Sequence, residues 1–275
     1  MLKILTLTWQ GCSHLTRLYP TLTNALDEIE YEWWIKDNGS TDKSVDTIKS
    51  WNDDNVHVLA HPNNVDSFAL GCNRLFKLCE PKDDDLILLL NNDVIFNDKH
   101  SLRRMIKIMQ DQSVGVVGAK LTYTGTNKLQ HAGVVFDPKH SMPIHYRANE
   151  IDDNEASKNR EFQAITGAVF LTRAHLYKNI CTTNKSGLAG QDESLIWAFD
   201  DTCACLAIKY NMDKRIIYCG QTNISHDESA SLKKNPVNRL FMNQNANIVK
   251  EKWGKKYQLD LPLYTKNPNY LLYKG

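Results

Sequence analysis

The clearest candidate for chemistry in this 275-residue sequence is the polar end of an apolar run, where Leu86–Leu90 is followed by Asn91, Asn92 and Asp93. Asn91 and Asp93 are two residues apart, so in an extended chain their side chains can point the same way. Their oxygens are hard ligands of the kind that Mg²⁺ and Mn²⁺ prefer. The spacing is typical of a divalent metal site, although a polar turn that ends a strand fits this stretch alone equally well.

The apolar run itself indicates where such a site would lie. Five apolar residues in a row are too few for a typical helix and suit a strand buried on both faces, as in the middle of a parallel sheet. Ligands of open α/β sheets bind at the carboxyl ends of the central strands. The run therefore predicts a crevice lined by residues 91–93.

Strand and helix patterns alternate along the rest of the chain. Strands are predicted at Leu2–Leu7, Trp33–Lys36, Val56–Ala60, Val114–Leu121, Ala164–Leu171 and Arg215–Tyr218, and helices near Leu15–Leu26, Ser67–Cys79, Ser101–Met109, Ser194–Tyr210 and Val237–Trp253. This alternation indicates βαβ units and an α/β fold, with a mainly parallel mixed sheet flanked by helices. Ser40 or Thr41 is a candidate cap for the helix after the second strand.

The domain organisation follows from the same pattern. We expect one domain over residues 1–230, with a donor half at about 1–95 and an acceptor half at about 96–230. Residues 137–158 are polar and predict a mobile loop over one edge of the site. Residues 231–275 would add a C-terminal helix and an extended tail packed on this domain.

Composition excludes several classes of protein. The net charge of +1 argues against binding of nucleic acid by the whole surface. Seven cysteines at irregular spacing do not form a disulfide framework, so we expect reduced thiols. The first residues lack the form of a signal peptide, and no run reaches the roughly 18 apolar residues of a membrane span. We therefore expect a cytoplasmic protein without a transmembrane segment.

Several polar segments, in this order along nearly the whole chain, resemble the family 2 glycosyltransferases of GT-A (Rossmann-like) fold. These segments are Asp37–Asp42, Asn64–Asn73, Leu90–Asp93, Leu129–Gly133, Thr166–Ala168, Asp192–Glu193, Phe199–Asp201 and Ser225–His226. Each is weak alone, but the ordered set is specific. The tail at Asp260–Asn269 is similar to bacterial members that act on surface polysaccharides. The resemblance implies a metal-dependent, inverting transfer of one sugar, and the Gln-X-X-Arg-Trp motif of processive synthases is absent.

The resemblance implies a donor site for a UDP- or dTDP-sugar. Asp37 would accept a hydrogen bond from the imide N–H of uracil or thymine and reject cytosine. Asn91 and Asp93 stand where the family has its Asp-X-Asp motif, which holds Mn²⁺ or Mg²⁺ against the departing diphosphate. His226 stands at the position of a late metal ligand. Further donor contacts are expected from Thr8, Asn38, Asn64, Asn73 and Asn92. The simpler alternatives are a helix-start acid for Asp37 and a solvated loop histidine for His226.

The resemblance also implies a catalytic base. Asp201 matches the second acid of the family's Glu-Asp or Asn-Asp motif and would remove the proton from the acceptor hydroxyl. Cys203 stands where the family commonly has a further acid, which is a departure from the pattern. The acids at 200 and 201 could instead merely favour a helix N-terminus. Acceptor-side residues are expected at Gly167, Asp192, Glu193, Trp197 and Asp200.

The acceptor itself is less well defined. From His226 onward the chain has nine Lys or Arg and four acids, a local excess that could meet lipid phosphates, a polyanionic glycan or DNA with a hydroxylated base. A solvated lysine face is the simpler interpretation. The expected acceptor is a glycan or lipid-linked saccharide. The alternative is a phage-type DNA glycosyltransferase, which would have to extrude its target base.

Two hypotheses from other classes remain. A sugar nucleotidyltransferase would need a Gly-rich loop with Arg and Lys after the first strand, and Thr8–His14 has no such loop. A catalytically silent carbohydrate-binding module would need neither metal ligands nor a base, and candidates for both are present. The oligomeric state is open.

Overall fold

The structure is a computed structural model that describes residues 1–63, 66–139, 142–196, 198–227 and 237–275. Its strands are β1 (Leu2–Thr8), β2 (Tyr31–Asp37), β3 (Val56–Ala60), β4 (Leu86–Leu90), β5 (Val94–Phe96), β6 (Val114–Tyr123), β7 (Leu129–His131), β8 (Val134–Asp137), β9 (Met142–His145), β10 (Arg160–Phe162), β11 (Val169–Arg173) and β12 (Arg215–His226). Its helices are α1 (Cys12–Ala25), α2 (Ser44–Ser50), α3 (Phe68–Leu78), α4 (Ser101–Met109), α5 (Ala174–Tyr177), α6 (Asp200–Asn211), α7 (Val237–Trp253) and α8 (Leu261–Lys266).

Ten of the described strands form one mixed sheet with the order β10-β12-β6-β11-β4-β1-β2-β3, to which β5 and β7 add at β12 and β6. The half formed by β4, β1, β2 and β3 is parallel. In the other half β11 runs antiparallel between β4 and β6, and β12 is parallel to β6. The predicted α/β fold with a mixed sheet flanked by helices is confirmed.

The central strand β4 is buried on both faces, as its apolar run predicts. Leu88 and Leu90 belong to a core cluster with α1 and α4, and Leu89 belongs to a second cluster with α3. All three leucines have 0% exposure. Because alternate side chains of a strand point to opposite faces, an unbroken apolar run is what such a position requires. Strand β4 therefore places residues 91–93 near the middle of the sheet, at the carboxyl ends of its parallel strands.

Several predicted boundaries are wrong. The helix expected from Ser194 begins at Asp200, because Phe199 has a left-handed backbone with φ of 66°. The helix after β2 begins at Ser44, and its cap residue Lys43 makes no side-chain capping bond, so neither Ser40 nor Thr41 caps it.

Strand β12 also differs from the prediction. It was expected to end at Tyr218, but it crosses an irregularity between Cys219 and Ile224 and continues to His226. Polar residues interrupt the apolar pattern at this irregularity, and continued pairing with β6 restores the strand. His226 therefore ends a strand and does not lie in a loop.

The remaining corrections concern the C-terminal half. Strand β11 begins at Val169 and not at Ala164, and the predicted loop 137–158 contains β9, which pairs with β8. The tail is not simply extended, because it contains α8, whose Tyr264 is buried and stacks on Phe162 at 4.5 Å. Among the described residues, no helix combines the length and the apolar character needed to cross a membrane.

Candidate functional site

Strand pairing brings together Asp93, which lies beyond the carboxyl end of β4, and His226, which ends β12. Strand β5 follows Asp93 directly and pairs antiparallel with β12, with Val94 opposite His226. The Asp93 Oδ1 atom lies 2.9 Å from His226 Nε2, and His226 Nδ1 lies 2.8 Å from Gln130 Oε1. Asp93 and His226 are 7% and 8% exposed, so this pair is largely shielded from water.

The electrostatics keep the carboxyl of Asp93 ionised. Burial works against its charge, but the hydrogen bond with His226 and the nearby imidazoles of His226 and His14 lower the pKa of Asp93 below its usual range. An ionised carboxylate beside an imidazole nitrogen is a donor set that suits Mn²⁺.

The protein supplies only part of a coordination shell. In the parts of the chain that the structure describes, no group of three or more His, Cys, Asp or Glu side chains could hold a metal ion by itself. The Asn91 Nδ2 atom lies 3.3 Å from His226 Nε2, and rotation of this amide would bring its oxygen to the same place. Asp93, His226 and Asn91 therefore fit a divalent ion whose other ligands come from water or from a bound molecule.

A second group of predicted residues lies at the ends of β1 and β2. In the parallel pairing of these strands Thr8 stands opposite Asp37, and Thr8 Oγ1 accepts a hydrogen bond from Asn92 Nδ2 at 2.7 Å. The Asp37 Oδ1 atom accepts from the backbone N–H groups of Gly39 and Ser40, at 3.1 and 2.9 Å. Its other oxygen, Oδ2, is buried and has no hydrogen-bond partner among the described residues. A buried acceptor without a partner is costly in a folded protein, and a ligand N–H would satisfy it.

A buried ion pair, which the sequence patterns do not predict, supports this end of the site. Lys36, with 0% exposure, places Nζ 3.1 Å from Asp66 Oδ2 and 2.9 Å from Asn38 Oδ1. Arg74 Nε lies 3.2 Å from the same Asp66 oxygen, and Asn38 donates to the Asp66 carbonyl at 2.9 Å. The signal for it in the sequence is a lysine that directly follows the apolar residues Trp33–Ile35 within strand β2. The network fixes the backbone on both sides of Asp37.

The candidate base Asp201 lies in the first turn of α6. Its Oδ2 accepts from Gly167 N at 2.7 Å and its Oδ1 accepts from Thr202 N at 2.6 Å. A Cβ at Gly167 would lie 3.2 Å from Asp201 Cβ, so the glycine allows this close approach. Burial of the Asp200 carboxyl, followed by repulsion from Asp201, raises the pKa of Asp200 to about 7.

Backbone contacts join the candidate base to the candidate metal ligands. The Asn91 N–H donates to the carbonyl of Ala168 at 3.0 Å, and Ala168 adjoins Gly167, which holds Asp201. Strand β11, which begins at the next residue, is antiparallel to β4. The structure thus brings together the predicted residues Thr8, Asp37, Asn38, Asn91, Asn92, Asp93, Gly167, Asp200, Asp201 and His226.

Asn73 occupies a different environment. It has 0% exposure, and its Nδ2 donates to the Gln191 carbonyl at 2.9 Å and to Glu193 Oε1 at 3.0 Å. Its Oδ1 accepts from Gln191 N at 2.8 Å and from Tyr177 Oη at 2.9 Å. Asn73 thus ties α3 to the 191–193 segment, and contact with a donor stays a prediction for it.

Of the other predicted residues, the acceptor-side Asp192 lies at a cavity, and the donor-side Asn64 and the acceptor-side Trp197 cannot be placed. Asp192 forms an ion pair with Lys252 and lines a cavity of about 260 Å³ together with Cys203. Asn64 and Trp197 lie outside the described residues.

Comparison with known proteins identifies the family of this chain. The family model "Glycosyl transferase family 2" matches residues 13–175, which is more than half of the chain. The chain belongs to glycosyl transferase family 2. An uncharacterized protein, y4gI, of Sinorhizobium fredii is 26% identical over 281 residues, which cover 94% of this chain and 28% of that protein.

Solved structures show the same fold at low sequence identity. TarS of S. aureus has a TM-score of 0.57 and 15% identity, over 82% of this chain and 36% of TarS. Its fragment 1–349 in complex with UDP-GlcNAc has a TM-score of 0.60 and 13% identity, over 90% of this chain and 66% of the fragment. The mannosyltransferase PcManGT of Pyrobaculum calidifontis, in complex with GDP-Man and Mn²⁺, has a TM-score of 0.64 and 11% identity, over 96% of this chain and 67% of PcManGT. This chain spans about a third of TarS and about a quarter of y4gI.

Proposed function

We propose that this chain transfers one sugar from a UDP- or dTDP-sugar to an acceptor hydroxyl, with inversion at the anomeric carbon and with the help of Mn²⁺ or Mg²⁺. The observation that carries the proposal is the convergence of three features on the side of the sheet where the parallel strands β1, β2 and β4 end. These are an unpaired buried oxygen on Asp37, the Asp93–His226 pair, and Asp201 held beside Gly167. The complexes of the structural relatives with UDP-GlcNAc and with GDP-Man and Mn²⁺ support a nucleotide-sugar donor.

Asp37 would select the base of the donor. Its Oδ1 is occupied by two backbone N–H groups, which leaves Oδ2 for the imide N–H of uracil or thymine. Cytosine has no N–H at the equivalent ring nitrogen, so it would leave the carboxylate oxygen unpaired. A site built for a hydrogen bond discriminates strongly against a ligand that lacks the group.

Asp93, His226 and the amide of Asn91 would hold the ion. When bound, Mn²⁺ or Mg²⁺ neutralises the charge that develops on the departing diphosphate. The ionised state of Asp93 and its low exposure favour binding of a cation at this position.

Asp201 would act as the general base. The two backbone N–H groups at Gly167 and Thr202 fix the orientation of its carboxylate. Oδ1 also accepts from the Thr202 hydroxyl at 3.3 Å, so Oδ2 is the oxygen that keeps a further lone pair for the acceptor proton. The proton of the acceptor hydroxyl moves to Asp201 as the acceptor oxygen bonds to the anomeric carbon. The bond from that carbon to the diphosphate oxygen breaks on the opposite face, and the nucleoside diphosphate leaves.

The acceptor is proposed to be a glycan or a lipid-linked saccharide, with a single addition in the cytoplasm. The contacts of two of the nine basic C-terminal residues weaken the charge argument for DNA. Lys252 is paired with Asp192, and Lys256 bonds to Asn211 and lies over the Trp253 ring at 5.1 Å. Two of the basic residues are thus engaged within the protein and are less available for phosphates.

A nucleotide-release assay tests the proposal. The protein is incubated with UDP-, dTDP- and CDP-sugars, with Mn²⁺ or EDTA, and with candidate saccharide acceptors or hydroxymethylated DNA. We expect metal-dependent release from one UDP- or dTDP-sugar, stimulated by a saccharide acceptor, and none from CDP-sugars.

The variant Asp201→Asn identifies the base in the same assay. We expect donor affinity to persist while transfer falls by about 10²- to 10⁴-fold, the usual contribution of a general base. Glu161→Gln is the matched control, because Glu161 is an acid that pairs with Lys209 of the same helix α6 and is not a predicted site residue. Full transfer activity in Asp201→Asn would reject this residue as the base, and tight donor binding without any turnover in the wild type would favour a silent binding module.

A further inference from the structure

Gln130 is a buried polar residue to which neither the family pattern nor the proposed mechanism gives a role. It lies in β7, has 3% exposure, and places Oε1 2.8 Å from His226 Nδ1. Its backbone is held as well, because its carbonyl lies 3.0 Å from His145 Nδ1. Strand β7 pairs with β6, and β6 pairs with the end of β12 at His226, so the sheet determines the Gln130–His226 contact.

The orientation of the Gln130 amide and the protonated nitrogen of His226 depend on each other. A neutral imidazole has one donor nitrogen and one acceptor nitrogen. With Gln130 Oε1 as the acceptor, Nδ1 carries the hydrogen and the lone pair of Nε2 faces Asp93 Oδ1 at 2.9 Å. Two acceptors at this distance repel each other unless a cation contacts both. This arrangement is therefore the one that a metal ion requires.

The amide of Gln130 can also satisfy the cation-free site. If it rotates by half a turn, its NH₂ group donates to Nδ1, and Nε2–H donates to Asp93. A glutamine, unlike a glutamate or a leucine, suits both arrangements. It also adds no negative charge beside the buried carboxylate of Asp93.

We propose that Gln130 is the positioning residue of the metal site, which holds His226 in the Nδ1–H tautomer and presents its Nε2 lone pair next to Asp93. The inference rests on the metal dependence in the proposed function. Groups that bond to the far nitrogen of a metal-binding histidine fix its tautomer and orientation, and their loss typically costs about 10- to 100-fold in metal affinity.

The first test measures the affinity for Mn²⁺ from the electron paramagnetic resonance of the free ion, in the presence of UDP. We expect Gln130→Leu to weaken Mn²⁺ binding by about 10- to 100-fold. Gln130→Glu keeps an acceptor at Nδ1 and should retain at least wild-type affinity. Gln163→Leu is the matched control, since Gln163 is a buried glutamine that bonds to Gln258 and Asp260. It should lower stability without changing the Mn²⁺ affinity.

The second test reads the tautomer directly by ¹⁵N nuclear magnetic resonance of the imidazole with Mg²⁺ bound. We expect the Nδ1–H form of His226 in the wild type and in Gln130→Glu, and a mixture of tautomers in Gln130→Leu. An Nε2–H form in the loaded wild type would overturn the inference.

The two proposals fail differently. If Asp93→Ala abolishes Mn²⁺ binding and Gln130→Leu leaves it unchanged, the role of Gln130 is wrong and the metal-dependent function stands. If the wild type binds no Mn²⁺ with UDP present, the metal dependence of the proposed function is wrong and the inference about Gln130 falls with it.

Discussion

The donor end and the acceptor end of the candidate site are built in different ways. Thr8 and Asp37 end the neighbouring strands β1 and β2, and residues 91–93 follow β4, so the register of a parallel sheet sets their spacing. Residues 191–196 precede α6 and, as far as the structure describes them, form no strand; long-range side-chain bonds hold Gln191 and Glu193 in place. A site set by strand register is stiff and preformed, whereas a site held by a few side chains can change its shape or specificity with little effect on the core.

The sharpest test of the donor end is Asp37→Asn, for which we expect a larger effect than for Asn73→Ala or Asp200→Asn at the acceptor end. The amide oxygen can still accept from Gly39 and Ser40, while the unpaired carboxylate oxygen becomes an NH₂ donor. A charged hydrogen bond of this kind contributes about 1.5–3 kcal/mol, so UDP affinity should fall by roughly 10- to 150-fold. Isothermal titration calorimetry with UDP and CDP measures the two affinities, and the preference for UDP over CDP should shrink or reverse.

The control for this variant is Asp42→Asn, in the same segment, where the carboxylate accepts from Cys12 N and Ser44 N. It should leave the ratio of UDP to CDP affinity unchanged. An equal loss of affinity for both nucleotides in Asp37→Asn would mean that the residue only shapes the turn.

The same contrast explains what could be predicted from the sequence. The apolar run of β4 and the polar residues that end β1, β2 and β4 are local patterns, and the parallel topology then places them together. The pairing of β5 with β12 is not local, so the Gln130–His226–Asp93 contacts could not be predicted from spacing. The start of α6 was missed for a similar reason, because the left-handed backbone at Phe199 has no glycine to mark it.

Asn73→Ala tests whether the acceptor end depends on its side-chain ties. The variant removes the Asn73 oxygen that accepts from the buried Gln191 N–H and the Tyr177 hydroxyl, at a cost of about 1–3 kcal/mol, whereas the Gln191 carbonyl keeps its bond from Asn184 Nδ2. We expect the free energy of unfolding to fall by this amount and KM for the acceptor to rise, with little change in UDP affinity. Urea denaturation and acceptor kinetics measure the two effects.

Lys252→Ala is the comparison for that variant, since it removes the ion pair between Lys252 of α7 and Asp192, which is exposed at the lysine. An exposed ion pair contributes about 0–1 kcal/mol, so its effect on stability should be smaller. A loss of UDP affinity in Asn73→Ala as large as the change in acceptor KM would show that the two ends are not independent.

Apart from the control Lys252→Ala, the smallest expected effect concerns the pH dependence of the acceptor end. The pKa of Asp200 is raised to about 7 by burial and by the charge of Asp201, whereas an aspartate in the unfolded chain titrates near 4. Between these pH values the folded protein binds one proton more than the unfolded chain, so stability falls as pH rises through this range. Asp200→Asn cannot ionise and should not lose this stability, so its advantage over the wild type should grow from pH 5 to pH 8 by on the order of 1–2 kcal/mol. Asp201→Asn removes the repulsion, so its stability should depend less on pH than that of the wild type. Urea denaturation at several pH values measures the stability of the wild type, Asp200→Asn and Asp201→Asn. The same change with pH in all three proteins would show that Asp200 titrates normally.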